Sequence, residues 1–326
     1  MTPALRAKLL DRRQRLERAL SESGPLEDLV LLVQQVDQAL ARMDGGTYGS
    51  CRVCGNEVEE HDLAANPFIE YCLCRLSPEQ QRALEHDIDL ARRIQTGLLP
   101  RQDVGCCGWR SHYRYRPAGP VSGDYCDVLT TRDDSGDLWF AVGDVSGKGI
   151  AAALLMAHLN ASFRSLIETG LPPEEIVARQ NRLLLGSDLP SHYATLVCGR
   201  AMADGRIDLV NAGHCAPLVA RAGAVAPLPP TASGFPVGLV EDRRYEVETL
   251  RLGPGDTLLL YTDGLIEARD GDDAEFGLDR VAALFAGHHA LPPRDLASRL
   301  LDDLGTFLGG MAATDDLSLM VIRREA

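Results

Sequence analysis

The sequence predicts an α+β protein in two unequal parts: a helical hairpin with a cysteine-rich segment, then a larger domain of antiparallel sheet and helices. Three observations carry this. Up to Pro100, leucines and other apolar residues recur at three- and four-residue steps, the period of helices. Beyond Pro100, short apolar runs separated by Gly, Pro and Asp cluster between a few helical stretches. Strands grouped this way fold as α+β layers, whereas one-for-one alternation would give a parallel βαβ sheet. Within the first part, four cysteines crowd into the stretch from Cys51 to Cys74.

The chain has 326 residues and is 45% hydrophobic, enough for a sizeable core and two or more domains. Its formal net charge of -14 argues against nonspecific binding to nucleic acid or anionic membrane. Acidic sites for divalent cations add to such a balance. No run of about 18 apolar residues is seen, and the first residues mix Arg6, Lys8, Arg12 and Arg13 with leucines, unlike a signal peptide. A cytoplasmic protein with no membrane contact is expected.

Leu5, Leu9, Leu16 and Leu20 give a first helix over residues 4–21, broken by Gly24-Pro25. A second, over 26–43, carries the stripe Leu29, Leu32, Val33, Val36, Leu40 and Met43 and stops at Gly45-Gly46. Next, Cys51 and Cys54 form a CxxC pair, and Cys72 and Cys74 a CxC pair. In a reducing compartment, crowded thiols point to metal rather than disulfides, and four thiolates at nearly this spacing make a tetrahedral zinc site, with His61 a substitute ligand. Cys106, Cys107, Cys126, Cys198 and Cys215 read as core or near-surface thiols. Ser77-Pro78-Glu79-Gln80 opens a linker helix over 77–100, its apolar face formed by Leu84, Ile88, Ala91, Ile94 and Leu98. That face either packs on its own domain or joins two copies into a homodimer.

Strands are expected over 111–115, 124–130, 138–142, 194–198, 206–210, 217–220, 245–250, 256–261 and 317–322, and helices over 150–168, 173–186 and 293–308. Between a strand and a helix lies GDVSGKGIAAA, which puts Asp144 on a Gly-rich turn suited to a metal or a phosphate. Three other spots repeat the pattern of Asp at a strand end or beside Gly: Asp124 and Asp127 in SGDYCD, Asp263 in YTDGL, and Asp315 and Asp316 in TDDLS. Gathered carboxylates are costly unless a cation neutralises them, and oxygen-only ligation selects Mg²⁺ or Mn²⁺. Without the ions such a site would be loosened by repulsion. Lys148, and after it Arg116, offers a cation to a phosphate, while His214 in NAGH reads as a turn or packing histidine.

Two resemblances sharpen this reading. Through VDQALARMDGGTYGSCRVCG and ANPFIEYC, residues 25–76 resemble the DksA/TraR-type zinc fingers, which implies a hairpin capped by zinc held by Cys51, Cys54, Cys72 and Cys74. Some members of that family insert the hairpin tip into RNA polymerase. The tip here, SESGPLED, lacks their paired-Asp pattern, so a docking or regulatory domain is expected. From residue 84 to 324, the pieces IQTGLLP, PAGPVSGDYCDV, GDVSGKGIAAALLMA, NAGHCAPL, FPVGLVED, GDTLLLYTDGLIEA, EFGLDR and DDLSLMVI resemble the SpoIIE/RsbU branch of the PPM metal-dependent serine/threonine phosphatases.

This second resemblance implies an α-β-β-α sandwich over residues 101–326, after the finger domain (1–76) and the linker helix (77–100). It implies two Mn²⁺ or Mg²⁺ ions, with Asp144 bridging both, the carbonyl of Val145 adding an oxygen, Asp124 on the second metal, and Asp263 and Asp315 on the first. Asp127 and Asp316 would be outer-shell groups or serve a third, weaker metal. Catalysis would run through a hydroxide held between the metals, attacking the phosphorus of a phosphoserine or phosphothreonine. The implied substrate is an anti-anti-sigma-like regulator. The rival from another class is an RNA-polymerase-associated module whose second domain only docks partners.

Overall fold

The computed structural model describes residues 3–23, 27–52, 55–69, 78–131, 136–186, 192–229 and 233–325. The chain forms two compact units, one of Met1–Asp87 with Asp188–His192 and a larger one of Ile88–Ser187 with Tyr193–Ala326. The division falls inside a helix, so the linker helix is shared between the units.

In the first unit α1 (Pro3–Ser23) and α2 (Glu27–Asp44) lie antiparallel. Arg6 meets Asp44 at 2.9 Å and Arg13 meets Asp37 at 2.6 Å, a pairing that only opposed helices allow. Leu9, Val36, Leu40 and Met43 fill the interface and continue into Tyr48, Cys51, Val58 and Leu63, the last on the short α3 (Glu60–Ala65). Cys54, Cys72, Cys74 and the side chain of His61 lie outside the described residues, so the zinc set is represented there by Cys51 alone.

The linker helix is α4 (Pro78–Leu98). Its buried stripe differs from the expected one: Ile94 is 59% exposed, and Gln95 takes the buried position instead. The reason lies within the larger unit, to which Gln95 belongs and where the Ser122 backbone meets that amide.

The larger unit is built from β1 (Asp103–Cys106), β2 (Trp109–Arg116), β3 (Asp124–Thr130), β4 (Leu138–Val145), α5 (Ile150–Ile167), α6 (Pro173–Leu185), β5 (Ala194–Ala201), β6 (Arg206–Ala212), β7 (Leu218–Arg221), β8 (Ala224–Pro227), β9 (Ser233–Gly234), β10 (Glu248–Arg251), β11 (Thr257–Tyr261), α7 (Asp263–Ile266), α8 (Leu278–His288), α9 (Pro293–Leu308) and β12 (Leu317–Arg324). One sheet has the order β1-β2-β12-β11-β7-β8 and the other β10-β6-β5-β4-β3. Both are antiparallel, with β9 added in parallel beside β6.

Strand alternation sorts the side chains into layers. From β4, Leu138, Phe140 and Val142 enter the core between the sheets, joined by Cys126 and Val128 of β3, Leu258 and Leu260 of β11, and Met320 and Ile322 of β12. The opposite faces bury against helices. Trp139 and Ala141 of β4 join Leu155, Met156, Leu159 and Phe163 of α5 and Ile176 of α6, while Leu259, Tyr261, Leu319 and Val321 meet Phe285 of α8 and Leu296 and Leu300 of α9. Each such aliphatic or aromatic side chain contributes about 1.5–3 kcal/mol when fully buried. The result is the expected sandwich of helices, sheet, sheet and helices. The unforeseen α8 buries Val281 and Phe285 over only three turns, too short a repeat to stand out in the sequence.

Among the described residues α5 is long and apolar enough to cross a membrane by composition. Its Leu155, Met156, Leu159, Phe163 and Ile167 are buried in the core instead.

Candidate functional site

Asp124 opens β3 and Asp144 sits near the end of β4, and the two are register partners in the antiparallel ladder. Val142 and Cys126, two residues from each, face the inter-sheet core, so the period of two turns both carboxylates to that same face. They meet at the end of the sandwich, where the chain leaves the sheet in Gly-rich turns.

Asp263 reaches the same place from the other sheet. It begins α7 straight after β11, and Gly264 beside it permits the approach: a Cβ there would stand 1.9 Å from the carbonyl oxygen of Asp316. That contact draws the TDG and TDDLS segments together. Thr262 completes the join. Its backbone N–H donates to Ser318 O at 3.0 Å, its hydroxyl accepts from the Ser318 N–H at 2.9 Å, and the same hydroxyl donates to Asp124 Oδ2 at 3.0 Å.

The other oxygen of Asp124, Oδ1, is buried with no hydrogen-bond partner. The Ser318 hydroxyl is near enough to ease the charge of Asp124 but completes no hydrogen bond in this geometry. Burial, then the charge of Asp144, pushes the Asp124 carboxyl well above the ordinary range. Burial followed by repulsion from Asp263, Asp315 and Asp316 raises Asp144 to about 8, and burial followed by repulsion from Asp315 and Glu267 raises Asp263 to about 6. The protein thus concentrates carboxyl groups at one end of its sheets, largely out of water.

The donors fit a hard divalent cation. An orphaned buried carboxylate oxygen is what such an ion satisfies, and Gly123 leaves room beside it: a Cβ there would lie 3.0 Å from Val145 O and 3.4 Å from Asp144 Oδ1. As the side chains stand, no group of three or more His, Cys, Asp or Glu among the described residues is drawn closely enough to hold an ion. Asp315 in particular is engaged by Lys148, whose ammonium lies 3.0 Å from Asp315 Oδ1 and donates to Thr314 O at 2.9 Å. Lys148 is therefore held by Asp315 and the Thr314 carbonyl. Arg116 is exposed at the end of β2, opposite Leu317 in the register.

Of the two expected outer-shell groups, Asp316 lies beside the site, where its charge acts on Asp124 and Asp144, and Asp127 does not. Asp316 accepts N–H groups from Ala118 at 2.7 Å and Gly123 at 3.0 Å, which pins the loop leading into Asp124. Asp127 lies on the opposite face of β3 from Asp124, because three residues along a strand reverse the side. It accepts from Arg164 Nε at 2.8 Å, from Arg164 Nη2 at 3.0 Å, from Asn160 at 3.2 Å and from the Val128 N–H at 2.9 Å. It is a structural ion pair beneath α5 and cannot reach the cleft. His214 is buried, with Nδ1 2.7 Å from Thr195 Oγ1 and its backbone N–H donating to Asn211 Oδ1 at 2.8 Å. Burial lowers it to about 4, so it is a neutral turn histidine.

Sequence reading missed Gln95. Its amide donates to Ser122 O at 2.7 Å and accepts from Ser122 N at 3.0 Å, a two-bond clamp on the residue two before Asp124. Its signal was a polar residue in phase with Leu84, Ile88, Ala91 and Leu98 on the buried stripe. Thr262 gave a comparable signal, a hydroxyl directly after a buried strand and directly before Asp263.

This two-sheet sandwich flanked by helices, with acidic side chains from both sheets at one end, is the domain that comparison with known proteins assigns to the PPM-type protein phosphatases. Residues 134–325, more than half of the chain, match the model of the family described as stage II sporulation protein E (SpoIIE), and the chain belongs to that family. It is 26% identical over 250 residues to the phosphoserine phosphatase RsbU of Bacillus subtilis, covering 75% of this chain and 72% of that protein. It is 22% identical over 302 residues to protein IcfG of Synechocystis, covering 83% of this chain but only 47% of that protein, so the chain spans about half of IcfG. Among solved structures, the SiaA-PP2C domain of Pseudomonas aeruginosa aligns with a TM-score of 0.65 at 21% identity, covering 76% of this chain and 99% of that domain. These relatives favour a serine phosphatase of the SpoIIE/RsbU type over a polymerase-associated module.

Proposed function

We propose that the chain removes phosphate from serine or threonine of an anti-anti-sigma-like regulator, using two Mn²⁺ or Mg²⁺ ions held by Asp124, Asp144, the carbonyl of Val145, Asp263 and Asp315. The observation that carries this is the pairing of Asp124 and Asp144 across β3 and β4, with Asp124 Oδ1 buried and unpartnered. Divalent cations at such a site supply Lewis acidity and a water activated near neutral pH. The chain's own groups prepare the place. Thr262 fixes Asp124 through Oδ2, Asp316 and Gln95 hold the approach to Asp124 from two sides, and Gly123 keeps the Val145 carbonyl accessible. The catalytic carboxylates are Asp144 and Asp124. Hydrolysis of a phosphoserine regulator should require Mn²⁺ or Mg²⁺ and vanish in chelator; full turnover in excess chelator would sink the reading.

For the amino-terminal unit we propose a DksA/TraR-like finger with one structural Zn²⁺ on Cys51, Cys54, Cys72 and Cys74. Its support is the backbone around Cys51, where Gly55 N donates to Cys51 O at 2.9 Å and Cys51 N to Asn56 O at 2.8 Å. One equivalent of zinc in the purified protein, lost in Cys51→Ser, is expected. Exposed Leu90 and Ile94, one turn apart on α4, support a homodimer, which light scattering would detect.

A further inference from the structure

Lys148 is the residue of the Gly-rich turn that the phosphatase chemistry leaves without a task. It leaves that turn and reaches the segment before β12, with Nζ 3.0 Å from Asp315 Oδ1 and donating to Thr314 O at 2.9 Å. Its charge also eases the crowding of Asp144 and of Asp263. The acidic cleft thus holds a positive charge of its own, set on one of the carboxylates assigned to metal.

We propose that Lys148 is an internal cation that competes with the divalent metal for Asp315 and so sets the metal affinity of the site. This rests on reading the aspartates as metal ligands. The physics is direct: an ammonium at 3.0 Å occupies an oxygen that the ion needs, and its charge repels the ion as it enters. For the metal to take Asp315, the Lys148 pair must open. Lys148 and Asp315 side chains are 39% and 45% exposed, so water damps the effect to a modest size. Lys148 is a positioning residue, acting on Asp315 rather than on the reacting phosphate.

The test is Mn²⁺ binding to the full chain by calorimetry, for wild type, Lys148→Gln and Lys148→Arg at one ionic strength. Lys148→Gln should bind Mn²⁺ on the order of five- to tenfold more tightly, and Lys148→Arg within about twofold of wild type. A gain in affinity cannot come from misfolding, which only weakens a site. Unchanged or weaker Mn²⁺ binding in Lys148→Gln overturns the proposal. So does a raised KM for a phosphoserine peptide at unchanged metal affinity, which would make Lys148 a phosphate contact. Asp144→Asn separates the two layers: if it binds Mn²⁺ as wild type does, the reading of the carboxylates as ligands fails first.

Discussion

Asp124 and Asp127 stand three residues apart on one strand, both fully buried, and the fold treats them in opposite ways. Asp127 turns toward α5, where Arg164 neutralises it and Asn160 and a backbone N–H fill its remaining acceptor sites. Asp124 turns toward the other sheet, where a threonine hydroxyl holds one oxygen, other carboxylates crowd around it, and the second oxygen has no partner. A satisfied buried charge is architecture. A buried charge left unsatisfied among its own kind costs stability and persists where a ligand makes up the loss. The two faces of β3 thus separate what holds the domain together from what it works with.

The largest effect should come from the unsatisfied face. Asp144→Asn is expected to lower Mn²⁺-dependent phosphatase activity on the order of a thousandfold while leaving circular dichroism unchanged, since a lost ligand removes several kcal/mol of transition-state stabilisation. Near-normal turnover in that variant would erase the distinction between the two faces. The satisfied face should answer with stability. Arg164→Ala strands the Asp127 carboxylate; because Arg164 is 43% exposed, the cost should sit at the low end of the range for broken buried pairs, about 3 kcal/mol. Differential scanning calorimetry would read this as a fall of roughly 6–12 °C in melting temperature. Activity per folded molecule should hold, and its loss would move Asp127 into the site.

Gln95→Ala tests the clamp between the linker helix and the strand that carries Asp124. It leaves Ser122 N and O without partners, and we expect about a tenfold fall in kcat with little change in KM, because the loop before Asp124 is then less firmly placed. An unchanged kcat would reduce Gln95 to packing. A further effect concerns pH. In protein stripped of divalent ions, Asp144 at about 8 and Asp263 at about 6 hold protons that the unfolded chain, near 3.8, has released. Between about pH 4 and 8 the folded state is therefore the more protonated, so raising the pH lowers its stability. The melting temperature in chelator should fall steadily from pH 5 to pH 8, and Asp144→Asn should flatten the slope. A melting temperature that rises over that window would mean the carboxylates do not crowd as described.

Much of this is legible in the sequence. The hairpin, the strand-rich second domain and the four aspartate motifs stand out because each has a local signature: a helical period, an apolar alternation, or Asp beside Gly at a strand end. What stayed hidden depends on orientation or on distant partners. Asp127 shares a motif with Asp124, but only the period of two, anchored by the knowledge that Cys126 faces the other sheet, reveals that it points away. Gln95 lost its place on the stripe to Ile94 because an apolar residue is the usual occupant, and only the Ser122 backbone explains why an amide is buried there. Lys148 looked available to a phosphate because its partner, Asp315, lies far away in the sequence and meets it only when the two sheets close.

The most direct test compares the two carboxylates of β3 for Mn²⁺ binding by calorimetry, using Asp124→Asn and Asp127→Asn, both verified as folded. Binding should be lost or weakened at least about a hundredfold in Asp124→Asn and stay within about threefold of wild type in Asp127→Asn. Equal losses in both, or a loss confined to Asp127→Asn, would contradict the division of β3 into a working face and a structural one.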